Sequence, residues 1–227
     1  MIRGAVFDLD GVLLDSMGIW KDLGVRYLRG RNVRPEPGLS EILFSMSMEQ
    51  GAAYLKAHYR LAGTEEEILQ GIADMLERFY YDEVPAKPGA EALLRFLRDR
   101  GIPMAAATSS PRDHVTRALD RLGLLPYLHT IFPTGEVGQS KHTPLIYQKA
   151  AAAVGSAPAQ TLVFEDSLYA LRTAAGAGFR TVGIYDPDGE SDQDGLCAAA
   201  EFYLTELSAF LDVWTRLEGE DGTAAIL

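Results

Sequence analysis

The chain holds one cysteine, Cys197, in 227 residues. An internal disulfide framework is therefore excluded, and the composition suits a reducing compartment. No stretch reaches the roughly 18 consecutive apolar residues that a bilayer-spanning helix needs. The N-terminal apolar run is interrupted at once by Asp8 and Asp10, which argues against a secretory signal. Positive charge is scarce, with 21 Lys and Arg against 32 Asp and Glu and a formal net charge of −11. Such a surface repels nucleic acid and anionic lipid, so neither is expected as a partner. The histidines (His58, His114, His129, His142) follow no metal-ligand spacing. There is no internal repeat and no low-complexity linker. A soluble, cytoplasmic, monomeric protein acting on a small molecule is the expectation.

What remains is a globular composition, 47% hydrophobic and 23% charged, enough for one sizeable core or a core plus an accessory domain. Ile2, Ala5, Val6 and Phe7 form a short apolar strand ending at Asp8. From Ser16 to about Tyr81 the pattern is helical. Trp20, Leu23, Gly24, Tyr27 and Leu28 fall on one face, and Leu69, Ile72, Ala73, Leu76 and Phe79 continue the period. Thr64 followed by three glutamates reads as an N-cap with an acidic first turn. Asn32 to Gly38, with two prolines, is a loop. After Val84-Pro85-Ala86-Lys87-Pro88-Gly89, helices and strands alternate. Strands are expected at 102–107, 130–132, 161–164, 181–185 and 202–204, and helices at 90–100, 113–122, 145–154 and 168–177. This βαβ alternation predicts an α/β fold with a Rossmann-like parallel sheet covered on both faces. Residues 1–15 and 85–227 would form that core, and 16–84 an inserted helical domain, a lid on two hinges.

Asp8-Leu9-Asp10-Gly11 brings two carboxylates to one sheet edge, and the glycine lets the chain turn away. One acid can attack an electrophile while the other moves protons, with a divalent cation between them and the substrate. Ligands in an open parallel sheet bind beyond the carboxyl ends of the strands, and three further clusters fall at such ends. Thr108-Ser109-Ser110 offers hydroxyls and fresh helix-start N–H groups to an anion. Lys141 is a placed cation in a loop, and Glu165-Asp166 supplies hard oxygens for a cation such as Mg2+. Singly, each has a plainer use, as a helix cap or a solvated loop lysine. Occurring together and in order, they favour a functional site.

The set resembles the four motifs of the haloacid dehalogenase superfamily of phosphotransferases, the first of which reads Asp-x-Asp-x-Thr/Val, and the resemblance spans nearly the whole chain. It implies Asp8 as nucleophile, Asp10 as general acid/base, and Thr108, with Ser109 beside it, and Lys141 as phosphate-binding and catalytic groups. Asp8, Asp10 (through its backbone carbonyl), Glu165 and Asp166 would hold Mg2+, with Glu165 as ligand or one step behind. The helical insert would be the family's cap, with Trp20, Lys21, Met46 and Met48 candidates for its inner face and Trp20 for substrate contact; by helical spacing Trp20 and the methionines read more readily as core. The second aspartate favours phosphoryl transfer over carbon–halogen cleavage. The general shape is nearest the β-phosphoglucomutase-like branch. Mutases of that branch carry a His where Trp20 stands, and an Arg-containing phosphate grip where this chain has Phe44-Ser45-Met46-Ser47-Met48-Glu49. A Mg2+-dependent phosphatase of a sugar or polyol phosphate is therefore expected, with a phosphomutase or a non-catalytic metabolite binder as alternatives. Leu145 stands where relatives usually carry an acid that positions the motif-three lysine.

Overall fold

The computed structural model describes residues 1–44 and 46–224, so Ser45 of the segment compared with the mutase grip lies outside the described residues. The chain divides into two compact units, Met1–Asp15 with Pro85–Leu227, and Ser16–Val84.

The first unit is built on six parallel strands: β1 (Gly4–Phe7), β2 (Met104–Thr108), β3 (Thr130–Pro133), β4 (Thr161–Glu165), β5 (Arg180–Ile184) and β6 (Phe202–Leu204). Their order is β3-β2-β1-β4-β5-β6. β1, β2 and β4 are buried along their whole length, as apolar strands covered on both faces must be. The register Val6↔Ala105 and Val6↔Val163 puts small and branched residues on one face. There they pack with Ile146, Tyr147, Ala150 and Ala151 of a covering helix (Leu145–Ala153). The alanines on both sides allow helix and sheet to approach closely. The opposite face carries Phe7 stacked on Phe164, centroids 4.3 Å apart, and Phe210 tilted against Phe164 at 5.4 Å. β1 lies between β2 and β4, the point where winding of the sheet reverses, so a crevice opens beyond the carboxyl ends of these three strands.

The second unit is helical: α1 (Gly18–Gly30), α2 (Leu39–Phe44), α3 (Met48–Tyr59), α4 (Glu65–Arg78) and a π-helical turn at Phe79–Glu83. Thr64 closes a capping box with Glu67, and Ser47 does the same with Gln50. The buried face of α1 is Ile19, Leu23, Gly24, Tyr27 and Leu28. Trp20, grouped with that face by spacing, is instead 45% exposed, because Ile19 takes the inward slot. On α4, Ile68 and Ile72 are buried while Ala73 is exposed.

The remaining helices of the first unit are α5 (Ala90–Arg98), α6 (Arg112–Arg121), α7 (Thr134–Val137), α8 (Leu145–Ala153), α9 (Leu168–Gly176), α10 (Gln193–Ala199) and α11 (Phe210–Ala224). Sequence reading left α7, α10 and α11 unassigned. At the border of this unit, Leu14 and Ala86 pair as an antiparallel bridge, and Asp15 donates its N–H to the Pro85 carbonyl at 3.0 Å. Among the described residues no helix is long and apolar enough to cross a membrane.

Candidate active site

The loops beyond β1, β2 and β4 deliver the acids and hydroxyls. Asp8 is the last residue of its segment tied to the sheet, its N–H donating to the Phe164 carbonyl at 2.9 Å. The chain then folds back so that the Leu9 carbonyl accepts from the N–H groups of Leu13 and Leu14, with Gly11 at φ 73°, a conformation that costs glycine little. Asp8 Oδ1 accepts from Leu9 N–H at 2.7 Å and is paired with the Lys141 ammonium at 2.8 Å. Glu165 ends β4 with no exposure; its Oε1 accepts from Lys141 Nζ and from the Tyr147 hydroxyl, both at 2.7 Å. Its Oε2 is buried and has no hydrogen-bond partner. Asp166 follows, 5% exposed. Asp8, Glu165 and Asp166 each present an oxygen within 4.8 Å of the others.

The Asp10 carboxylate is engaged differently: Ser110 Oγ donates to its Oδ2 at 2.6 Å. Thr108, fully buried at the end of β2, accepts from the Ser110 N–H at 3.0 Å, and Ser109 between them is exposed. One short turn before α6 therefore carries the anion-cradle residues and orients the second aspartate. Lys141 is 2% exposed and pinned between Asp8 and Glu165 although Leu145 supplies no acid.

Three carboxylates share one ammonium here, so full ionisation would leave two negative charges in excess. Burial pushes Asp8 well above the usual carboxylate range, reinforced by Glu165, Asp166 and Asp10 and opposed by Lys141. Asp166 rises to about 7, chiefly through burial and then through Glu165. For Lys141, burial favours the neutral amine, but Asp8 and Glu165 outweigh it and hold the ammonium above its ordinary value. An unpaired buried oxygen costs about 1–3 kcal/mol. A Glu165 carboxylate with one orphan oxygen, clustered with two further acids, all hard donors, fits a divalent cation held by Asp8, Glu165 and Asp166.

Sequence reasoning missed several supporting groups. Tyr147 lies in α8, a segment the sequence marked only as a helix. Lys87 Nζ bonds the carbonyls of Gly11 and Tyr185 and pairs with Asp186 Oδ2 at 2.8 Å, fixing the turn after Asp10. The only local sign of it was the pattern change at Lys87-Pro88-Gly89. Gly189 leaves room beside the site, since a Cβ there would stand 2.9 Å from Asp166 Oδ2 and displace that carboxylate. Tyr169, three residues beyond Asp166, stacks on His142 with centroids 4.4 Å apart. In the helical unit, Trp20, Lys21, Met46 and Met48 line one cavity of about 250 Å3.

Residues 2–178 match the family model for haloacid dehalogenase-like hydrolases. A validoxylamine A 7'-phosphate phosphatase from Streptomyces hygroscopicus subsp. limoneus is 27% identical, over 86% of this chain and 93% of its own. Hexitol phosphatase A from Escherichia coli (strain K12) is 28% identical over 82% of this chain and 84% of its own. A Thermotoga maritima structure assigned as a β-phosphoglucomutase superposes with a TM-score of 0.83 at 23% identity, covering 95% of this chain and 99% of the other. At that identity the likeness speaks to the fold alone.

Proposed function

This chain is an enzyme that belongs to the haloacid dehalogenase-like hydrolases, and on that premise we propose a Mg2+-dependent phosphatase of a small phosphorylated metabolite, a sugar or polyol phosphate, working through an aspartyl-phosphate on Asp8. Two relatives that are phosphatases by name, one a hexitol phosphatase, support the substrate class. The helical unit Ser16–Val84 corresponds to the cap that the resemblance implies.

A divalent cation would be held by Asp8, Glu165 and Asp166, with the Asp10 carbonyl added on the family resemblance, and would supply the positive charge that lets a carboxylate approach a phosphate dianion. Asp8 attacks phosphorus while the bond to the leaving oxygen breaks, and Asp10 donates a proton to that oxygen. Water then attacks the phosphorus, Asp10 takes its proton, and the bond to Asp8 breaks to release phosphate. Lys141 and the Thr108–Ser109 turn stabilise the equatorial oxygens, where charge develops. Ser110 keeps Asp10 aimed between the two steps.

The observation that carries the reading is the nest itself: a candidate nucleophile, an ammonium fixed against it, and an orphan oxygen among clustered acids. The test is a panel of phosphorylated metabolites assayed with and without Mg2+ on wild type and Asp8→Asn. Loss of phosphate release by about a thousandfold or more in the variant is expected. Release at the wild-type rate by Asp8→Asn would rule out the covalent route, and isomerisation without phosphate release would make the enzyme a mutase.

A further inference from the structure

The sequence-matched motifs account for Asp8, Asp10, Lys141, Glu165 and Asp166, but not for why Glu165 stands as it does. Tyr147 is fully buried, packed among Val6, Ala105, Ile146, Ala150 and Phe179. A phenylalanine would fill that space with the same ring. A phenol there must find an acceptor, because a buried hydroxyl without one costs free energy. It finds Glu165 Oε1 at 2.7 Å. Lys141 Nζ reaches the same oxygen at 2.7 Å. Two donors occupy the two lone pairs of Oε1, so the unused lone pairs of the carboxylate belong to Oε2, the orphan atom. Turning the carboxylate plane away from this orientation would break both bonds.

We propose that Tyr147 is a positioning residue: its hydroxyl locks Glu165 so that Oε2 faces Asp8 and Asp166 and joins them in holding a divalent cation. The hydroxyl can serve as a lock because a phenol is a donor and Glu165 Oε1 accepts from it inside a closed core. The division of labour is clean, with one oxygen given to the protein and one to the metal. Groups that orient a ligand in this way are worth about 10–100-fold in metal affinity. The inference deepens the phosphatase reading and rests on it for the site's identity.

The test uses Mn2+ as a probe, titrated into the metal-free full chain without substrate and followed by the electron paramagnetic resonance of the free ion. Tyr147→Phe keeps the ring and removes one oxygen; its Kd for Mn2+ should rise about tenfold. A Glu165→Gln background tests the route. The amide keeps the shape but no longer offers a charged ligand, so adding Tyr147→Phe should not weaken binding further. In turnover of an aryl phosphate, excess Mg2+ should restore kcat in Tyr147→Phe with an unchanged KM, which a packing defect would not allow. Wild-type Mn2+ affinity in Tyr147→Phe, or an equal loss in both backgrounds, would overturn the proposal. Because metal binding is read without substrate, an inactive wild type that still shows the tenfold difference would sink the phosphatase reading while leaving this one intact.

Discussion

Two lysines are sunk into the α/β unit, and their surroundings differ in one respect. Lys87, its side chain 13% exposed, bonds two backbone carbonyls and pairs with Asp186, whose other oxygen accepts from the Asp188 N–H at 2.8 Å. Charge balances one to one there, and both carboxylate oxygens are used. Lys141, 2% exposed, faces Asp8, Glu165 and the neighbouring Asp166, and leaves a charge deficit and an orphan oxygen. Native structures rarely leave such atoms unpaired without a reason. A closed polar network holds a turn, whereas an open one waits for something to complete it. The comparison therefore separates framework from chemistry in the same unit, and with the same residue type.

The sharpest way to break that comparison is to remove each ammonium. Lys141→Met should lower kcat by about 10²–10³-fold at saturating Mg2+, the range for losing one donor aimed at developing charge. Steady-state turnover of an aryl phosphate measures it, and a loss under tenfold would remove Lys141 from the phosphate. Lys87→Met should act mainly on stability. Breaking a buried pair typically costs 3–5 kcal/mol, and partial exposure of this lysine brings the expectation to about 3 kcal/mol. Urea unfolding reads that loss, while kcat should fall by less than in Lys141→Met. If Lys87→Met proved the more damaging to turnover and the less damaging to stability, the distinction would be reversed.

The same contrast explains what was legible in the sequence. Asp8, Thr108, Lys141 and Glu165 sit at strand ends or in the loops that follow, and strand ends are written locally in apolar runs followed by polar residues. Parallel strands and their alternation with helices were readable for the same reason. Tyr147 to Glu165 spans 18 positions and Lys87 to Tyr185 spans 98. Bonds of that reach leave no periodic trace, so a phenol that holds a carboxylate looks like any other core ring. Trp20 failed differently: spacing places a residue within about a quarter turn, too coarse to tell the inward slot from Ile19 beside it. α11 escaped because glycines and acids in its second half interrupt the apolar period that marks a helix.

The smallest expected effect is a pH dependence of the metal-free protein, and it sharpens the contrast. Asp166 titrates at about 7 in the folded state, while an unfolded aspartate does so near 4, a typical value. Between those values the native form binds a proton that the unfolded chain has released. The contribution of this group is therefore most favourable below about pH 4 and is lost as pH rises through about 7. A divalent cation takes the proton's place, so stabilisation by Mg2+ should grow over the same window, by about 4 °C in thermal midpoint from pH 5 to pH 8. A Mg2+ shift independent of pH would mean that Asp166 does not hold the ion. Lys141 lowers the Asp166 value more than Lys87 does, so Lys141→Met should move the window upward further than Lys87→Met. The lysine in the open network is thus coupled to metal loading more strongly than the lysine in the closed one.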